Sequence, residues 1–179
     1  MTPHLALLAL GLAYAVVRYV VFGTGAPTGM ATLLNKALCI YATGALVALG
    51  LRRARGLDWR SGPWVSGLRV SVLLHVLLSL FLLSPAYYAK LYVGPHFTWL
   101  AELALLSGAA ACALMLDARV RRWVGLDRAF LLAALLVVAH LVGLGGRAWI
   151  TPSSWPGHLP PITLLCGLAT LIAVRLRPR

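Results

Sequence analysis

An all-α polytopic membrane protein, a bundle of six transmembrane helices, is what this sequence predicts, and three observations predict it. Of the 179 residues 61% are hydrophobic and only 11% charged, giving a mean hydropathy of +0.88. A soluble domain of this length needs more polar surface than that to cover one core. The apolar residues also fall into six runs, each near the roughly 20 residues that a helix needs to cross a bilayer. Finally, the basic residues stand in short blocks between those runs. No polar stretch is long enough for a second domain, so residues 1–179 form a single transmembrane domain.

The runs can be taken in chain order. The first covers about 4–22 and is closed by the Gly23-to-Pro27 stretch. It lacks a basic n-region and a cleavage site, so it reads as a membrane helix and not as a removed signal peptide. The second covers 30–51. The third, 64–84, lies between Gly62-Pro63 and Pro85, both strong breakers. Gly94-Pro95 precedes the fourth, 97–116. The fifth, 129–146, and the sixth, 161–176, are shorter, and Pro152, Pro156, Pro160 and Pro161 fill the loop between them.

Charge then orients the bundle. With the N-terminus inside, the inner segments hold Arg52, Arg53, Arg55, Arg60, Arg119, Arg121, Arg122, Arg128, Arg175, Arg177 and Arg179. The outer segments hold Lys90 and Arg147. That positive-inside bias alternates correctly across every span and puts both termini in the cytoplasm. The net charge of +12 is thereby assigned to orientation and lipid headgroups, not to nucleic acid. Trp64, Trp99, Trp123, Trp149 and Trp155 fall near span ends, as interfacial anchors do. The Ala/Leu/Arg-rich composition suits a bacterial inner membrane. Cys39, Cys112 and Cys166 are widely spaced within apolar runs and read as small buried hydrophobes.

Polar side chains at membrane depth are costly, which makes each a candidate for function. His75 in the third span lies eleven residues after Trp64, and His140 in the fifth lies eleven after Ala129. At about 1.5 Å per residue both sit some 16 Å in, near mid-membrane. Two imidazoles at one depth on parallel helices can bind a shared metal or haem iron from both sides, or can simply bond neighbouring helices. Gly67, Ser71, His75 and Ser79 form one stripe, and Ala129, Ala133, His140 and Gly143 share a face. Such small-residue faces also serve plain helix packing. His4, His96 and His158 fall at helix ends or in loops, where solvated interface residues are expected.

Four charged residues complete the set. Arg18, Lys36 and Glu102 lie in the outer layer of the membrane and Arg69 in the inner one. Arg18, Lys36 and Arg69 are candidates for binding a cofactor's acid groups, while Arg69 can also snorkel. Glu102 is expected in an inter-helix salt bridge, and Asn35 in inter-helix hydrogen bonds. No nucleophile–base set, paired carboxylates, phosphate loop or dinucleotide fingerprint is present.

Six spans, the loop Arg52-Arg53-Ala54-Arg55-Gly56, His75, the loop Arg121-Arg122-Trp123 and His140 together resemble the ferric reductase-like transmembrane family. The resemblance implies b-type haem held by histidines of the third and fifth helices. Many relatives carry two histidines on each, a dozen or more residues apart. Here Tyr88 stands thirteen residues beyond His75 and Asp127 thirteen before His140, so the resemblance implies one haem b only. With both axial positions filled, such a protein transfers electrons and is a subunit of an oxidoreductase, not a self-contained enzyme. Its donor and acceptor would be separate proteins or quinone. A non-haem scaffold or accessory subunit of a larger complex is the alternative, docking through the small residues Ala104, Gly108 and Cys112.

Overall fold

A computed structural model of the chain describes residues 2–23 and 29–176. Most of the Gly23-to-Pro27 breaker, and Arg177 and Arg179 of the charge count, lie outside the described residues. Six helices long and apolar enough to cross a membrane are present. Their α-helical parts are α1 (Pro3–Val16), α2 (Met30–Ala54), α3 (Pro63–Phe81), α4 (Trp99–Leu116), α5 (Leu126–Trp149) and α6 (Ile162–Arg175), the first span continuing to Val21 and the sixth beginning at Pro156.

Local chemistry sets where they begin. Thr2 caps α1, its hydroxyl accepting from the Leu5 amide, and Pro3 occupies the first turn, where its missing N–H costs nothing. Beyond Val16 the same helix widens into a π-helical turn, Val17–Val21. Gly62, with φ of 90°, turns the chain into Pro63 at the start of α3. Thr98 caps α4 through a bond from the Ala101 amide at 3.2 Å.

The connections carry small pieces of structure. Between α3 and α4 lie a helical turn, Pro85–Tyr88, and a short hairpin pairing Tyr92 with Phe97 and Val93 with His96. Between α4 and α5 a short helix, Ala118–Val124, is capped by Asp117, which accepts from the Arg119 amide at 2.6 Å. Arg53 at the end of α2 pairs with Asp127 at the start of α5 at 2.7 Å.

Packing is uneven. α2 sits against α1, α3 and α6, and α5 against α4 and α6. Small residues allow these approaches: a Cβ on Gly143 of α5 would meet the Leu100 carbonyl oxygen of α4 at 2.7 Å. One on Gly50 of α2 would meet the Ala173 carbonyl oxygen of α6 at 3.0 Å. Leu77, Leu80, Phe81, Leu106 and Ile172 point outward from the bundle, as lipid-facing residues must. By contrast α3 touches α5 little, and the space between them is a cavity.

Candidate functional site

His75 and His140 both line that cavity, which occupies about 360 Å³. This lies within the roughly 300–1,000 Å³ of small-molecule and cofactor sites. Its walls come from α2 (Cys39, Thr43, Leu46), α3 (Val72, His75, Ser79), α4 (Gly108, Cys112, Met115) and α5 (Val137, His140, Leu141). The imidazole ring centres are 6.5 Å apart and their planes cross at 86°.

Each ring is oriented through its Nδ1. That atom of His75 lies 3.2 Å from the backbone oxygen of Asn35 on α2. In His140 it lies 2.7 Å from the backbone oxygen of Ala104 on α4. A carbonyl oxygen only accepts, so both Nδ1 atoms carry the proton and, in the neutral ring, both Nε2 atoms hold a free lone pair. Neither Nε2 has a hydrogen-bond partner among the described residues. Histidines that ligate metals are commonly set up in this way, the second nitrogen donating to a carbonyl.

The spacing can be tested against a shared ion. Metal–imidazole bonds of about 2.0–2.1 Å, added to the half-width of each ring, put two opposed ring centres roughly 6–6.5 Å apart. The ring-centre separation of 6.5 Å lies at the upper end of that range. Among the described residues no three His, Cys, Asp or Glu side chains converge on a metal position.

The surrounding shell holds the rings in place. Asn35, 1% exposed, donates from Nδ2 to Ser79 Oγ at 3.1 Å and to the Tyr88 hydroxyl at 3.4 Å. It ties α2 to α3 and to the segment after it, as the sequence led us to expect. Gly108 makes room for His140, since a Cβ there would stand 2.6 Å from its Nδ1. Gly67 likewise lies under the Tyr41 hydroxyl.

The basic candidates lie elsewhere. None of Arg18, Lys36 or Arg69 lines the histidine cavity. Arg18 is buried and donates from Nη1 to the Leu159 carbonyl oxygen in the loop before α6. Lys36 places its Nζ 5.6 Å from the centre of the Tyr88 ring. Arg69 lines a second, smaller cavity at the arginine-rich end of the bundle.

Several expectations are corrected. His4 is half-buried and not merely solvated: its ring lies tilted against Trp64 with centres 4.2 Å apart, and its Nδ1 is 2.7 Å from the Tyr41 hydroxyl. His96 and His158 are exposed, as expected. Glu102 is exposed in the first turn of α4 and makes no salt bridge among the described residues. The helix dipole favours an acid there without a partner. Ala104 and Gly108 do not form an outward docking face, because they pack against α5 and His140, and Cys112 lines the cavity. The cysteines are not all apart either, since Cys39 Sγ lies 3.5 Å from Cys166 Sγ. No spacing in the sequence signals that contact, nor the role of Gly108.

No family model matches this chain, and no curated protein or solved structure matches it. The six-helix membrane architecture therefore stands on the chain's own residues.

Proposed function

We propose that this chain is a membrane b-type cytochrome, an electron-transfer subunit holding one haem between His75 and His140. The observation that carries the reading is the pair of imidazoles lining one cavity with ring centres 6.5 Å apart, each bonded through Nδ1 to a backbone oxygen so that its Nε2 lone pair is free. A bare zinc ion asks for three or four protein ligands. An iron that already carries four tetrapyrrole nitrogens asks for two, which is the number at hand.

A bound haem would supply one-electron chemistry. The residues supply the rest. His75 and His140 would both hold the iron, which would leave no position open for oxygen or substrate and so favour electron transfer. The Asn35 and Ala104 carbonyls draw on the Nδ1 protons, raising the basicity of each Nε2. Leu46, Val72, Val137 and Leu141 exclude water, and burial of this kind tunes a redox potential. Electrons would come from and pass to separate proteins or quinone, in a bacterial inner membrane with both termini cytoplasmic.

An absorption spectrum tests the reading. Protein expressed with haem available is expected to show a reduced-minus-oxidised b-type band, lost in both His75→Ala and His140→Ala. A colourless wild-type preparation would end it.

A further inference from the structure

We propose that Arg69 and Arg121, with Arg60 at the rim, form an oxyanion site that takes the carboxylate or phosphate of an amphiphile whose apolar body lies between the helices. The site is the second cavity, about 80 Å³, at the arginine-rich end of the bundle. That is room for a group of a few heavy atoms, since one water takes about 30 Å³ of liquid. Its remaining walls are apolar, among them Leu49, Val65 and Phe130, and no acidic side chain lines it. It also shares Leu46, Leu68 and Met115 with the histidine cavity, so the two spaces adjoin.

Among the described residues, three arginines and no acidic side chain line the space. The acids nearby are engaged or distant: Asp127 pairs with Arg53 at 2.7 Å and reaches Arg60 only at 4.0 Å. Arg121 donates from Nη1 to the Met115 oxygen at 2.5 Å and the Leu114 oxygen at 3.4 Å, capping the end of α4. Those bonds leave its other nitrogens free. Arg69 has no hydrogen-bond partner among the described residues. Burial and then the nearby charge of Arg69 lower the pKa of Arg121, and Asp117 offsets part of this. Arg69 is exposed and Arg121 half-buried at the edge of the space, where their like charges repel and an oxyanion bound by both would remove that cost.

Two sources share this chemistry. One is an acid side arm of a tetrapyrrole filling the histidine cavity, which rests on the function proposed above. The other is the phosphate of an anionic membrane lipid, which does not. The experiment compares wild type with Arg69→Gln, Arg121→Gln and the Lys variants at both positions. Each is titrated in detergent with protohaem and with its dimethyl ester, and each is examined by native mass spectrometry with phosphatidylglycerol. Protohaem affinity falling roughly tenfold or more in the Gln variants, with ester affinity unchanged, identifies the tetrapyrrole acid. Loss of a retained phosphatidylglycerol adduct, restored by Lys, identifies the lipid. Arg121→Gln also removes a helix cap, so Arg69→Gln is the decisive variant. If folded Arg69→Gln leaves both protohaem affinity and the lipid adduct at wild-type levels, the site is disproved. A wild type that binds neither haem form would refute the cytochrome reading alone, with the lipid measurement still deciding this one.

Discussion

α3 and α5 each carry one of the facing histidines, yet they are held in opposite ways. In α5 39% of the spanning residues are buried, against 17% in α3. His140 therefore sits on a helix packed closely between α4 and α6, with Gly108 and Gly143 closing the gap to α4. His75 sits on a peripheral helix that leans on α2 and is fastened there by a few polar contacts: Asn35 to Ser79, and His75 to the Asn35 carbonyl. One wall of the site belongs to a helix with neighbours on two sides, the other to a helix that packs chiefly on α2 and turns most of its surface outward. A cavity bounded by one central and one peripheral helix has a side on which fewer contacts stand in the way of a bulky flat ligand.

Breaking either wall should reveal the difference. The largest effect is expected at the histidines: both alanine variants lose the haem band, but added imidazole restores it more readily in His75→Ala, because α3 lies at the edge of the bundle where the ligand has fewer side chains to pass. Equal rescue, followed by absorbance, would remove the contrast. Next comes Gly108→Val, whose Cβ would stand 2.6 Å from the His140 Nδ1. α5 has little freedom to yield, so haem affinity is expected to fall about 10–100-fold, as read by titration. Asn35→Ala should act on the other wall. It removes a buried amide's bonds to Ser79 and Tyr88, and a loss of about 1–3 kcal/mol is expected. Hydrogen exchange should rise in α3 while α5 keeps its protection.

The smallest effect lies outside the membrane-spanning segments. Asp58, in the turn between α2 and α3, accepts from Ser61 Oγ and from the Arg60 amide. The Ser61 bond first, then the Arg60 amide, hold its pKa below the usual carboxylate value. A depressed pKa means the turn is fully supported at neutral pH and loosens only as acid titrates the folded carboxylate. Asp58→Asn should abolish this acid-dependent increase in exchange at residues 57–61, with α5 unaffected.

The spans were legible because a bilayer imposes a length and a polarity that composition records directly. Even so, the fifth was placed at 129–146, whereas α5 runs Leu126–Trp149. Asp127, Arg128 and Arg147 made its end turns look like loop, although a helix can hold charges in its end turns. The matched depth of His75 and His140 was also readable, since both follow from a fixed rise per residue. What sits beside each ring was not. The Asn35 and Ala104 carbonyls, the close approach at Gly108, the contact of His4 with Trp64 and the Cys39–Cys166 contact all depend on which helices become neighbours. Helical periodicity gives a residue's direction on its own axis, but no sequence spacing gives the rotation of one helix against another.

The crossing of the two imidazole planes at 86° has a magnetic consequence. If the proposed haem were held by both rings at this angle, two of its ferric iron d orbitals would lie nearly equal in energy. The electron paramagnetic resonance signal would then be strongly anisotropic, dominated by one large g value, whereas parallel rings give a compact rhombic spectrum.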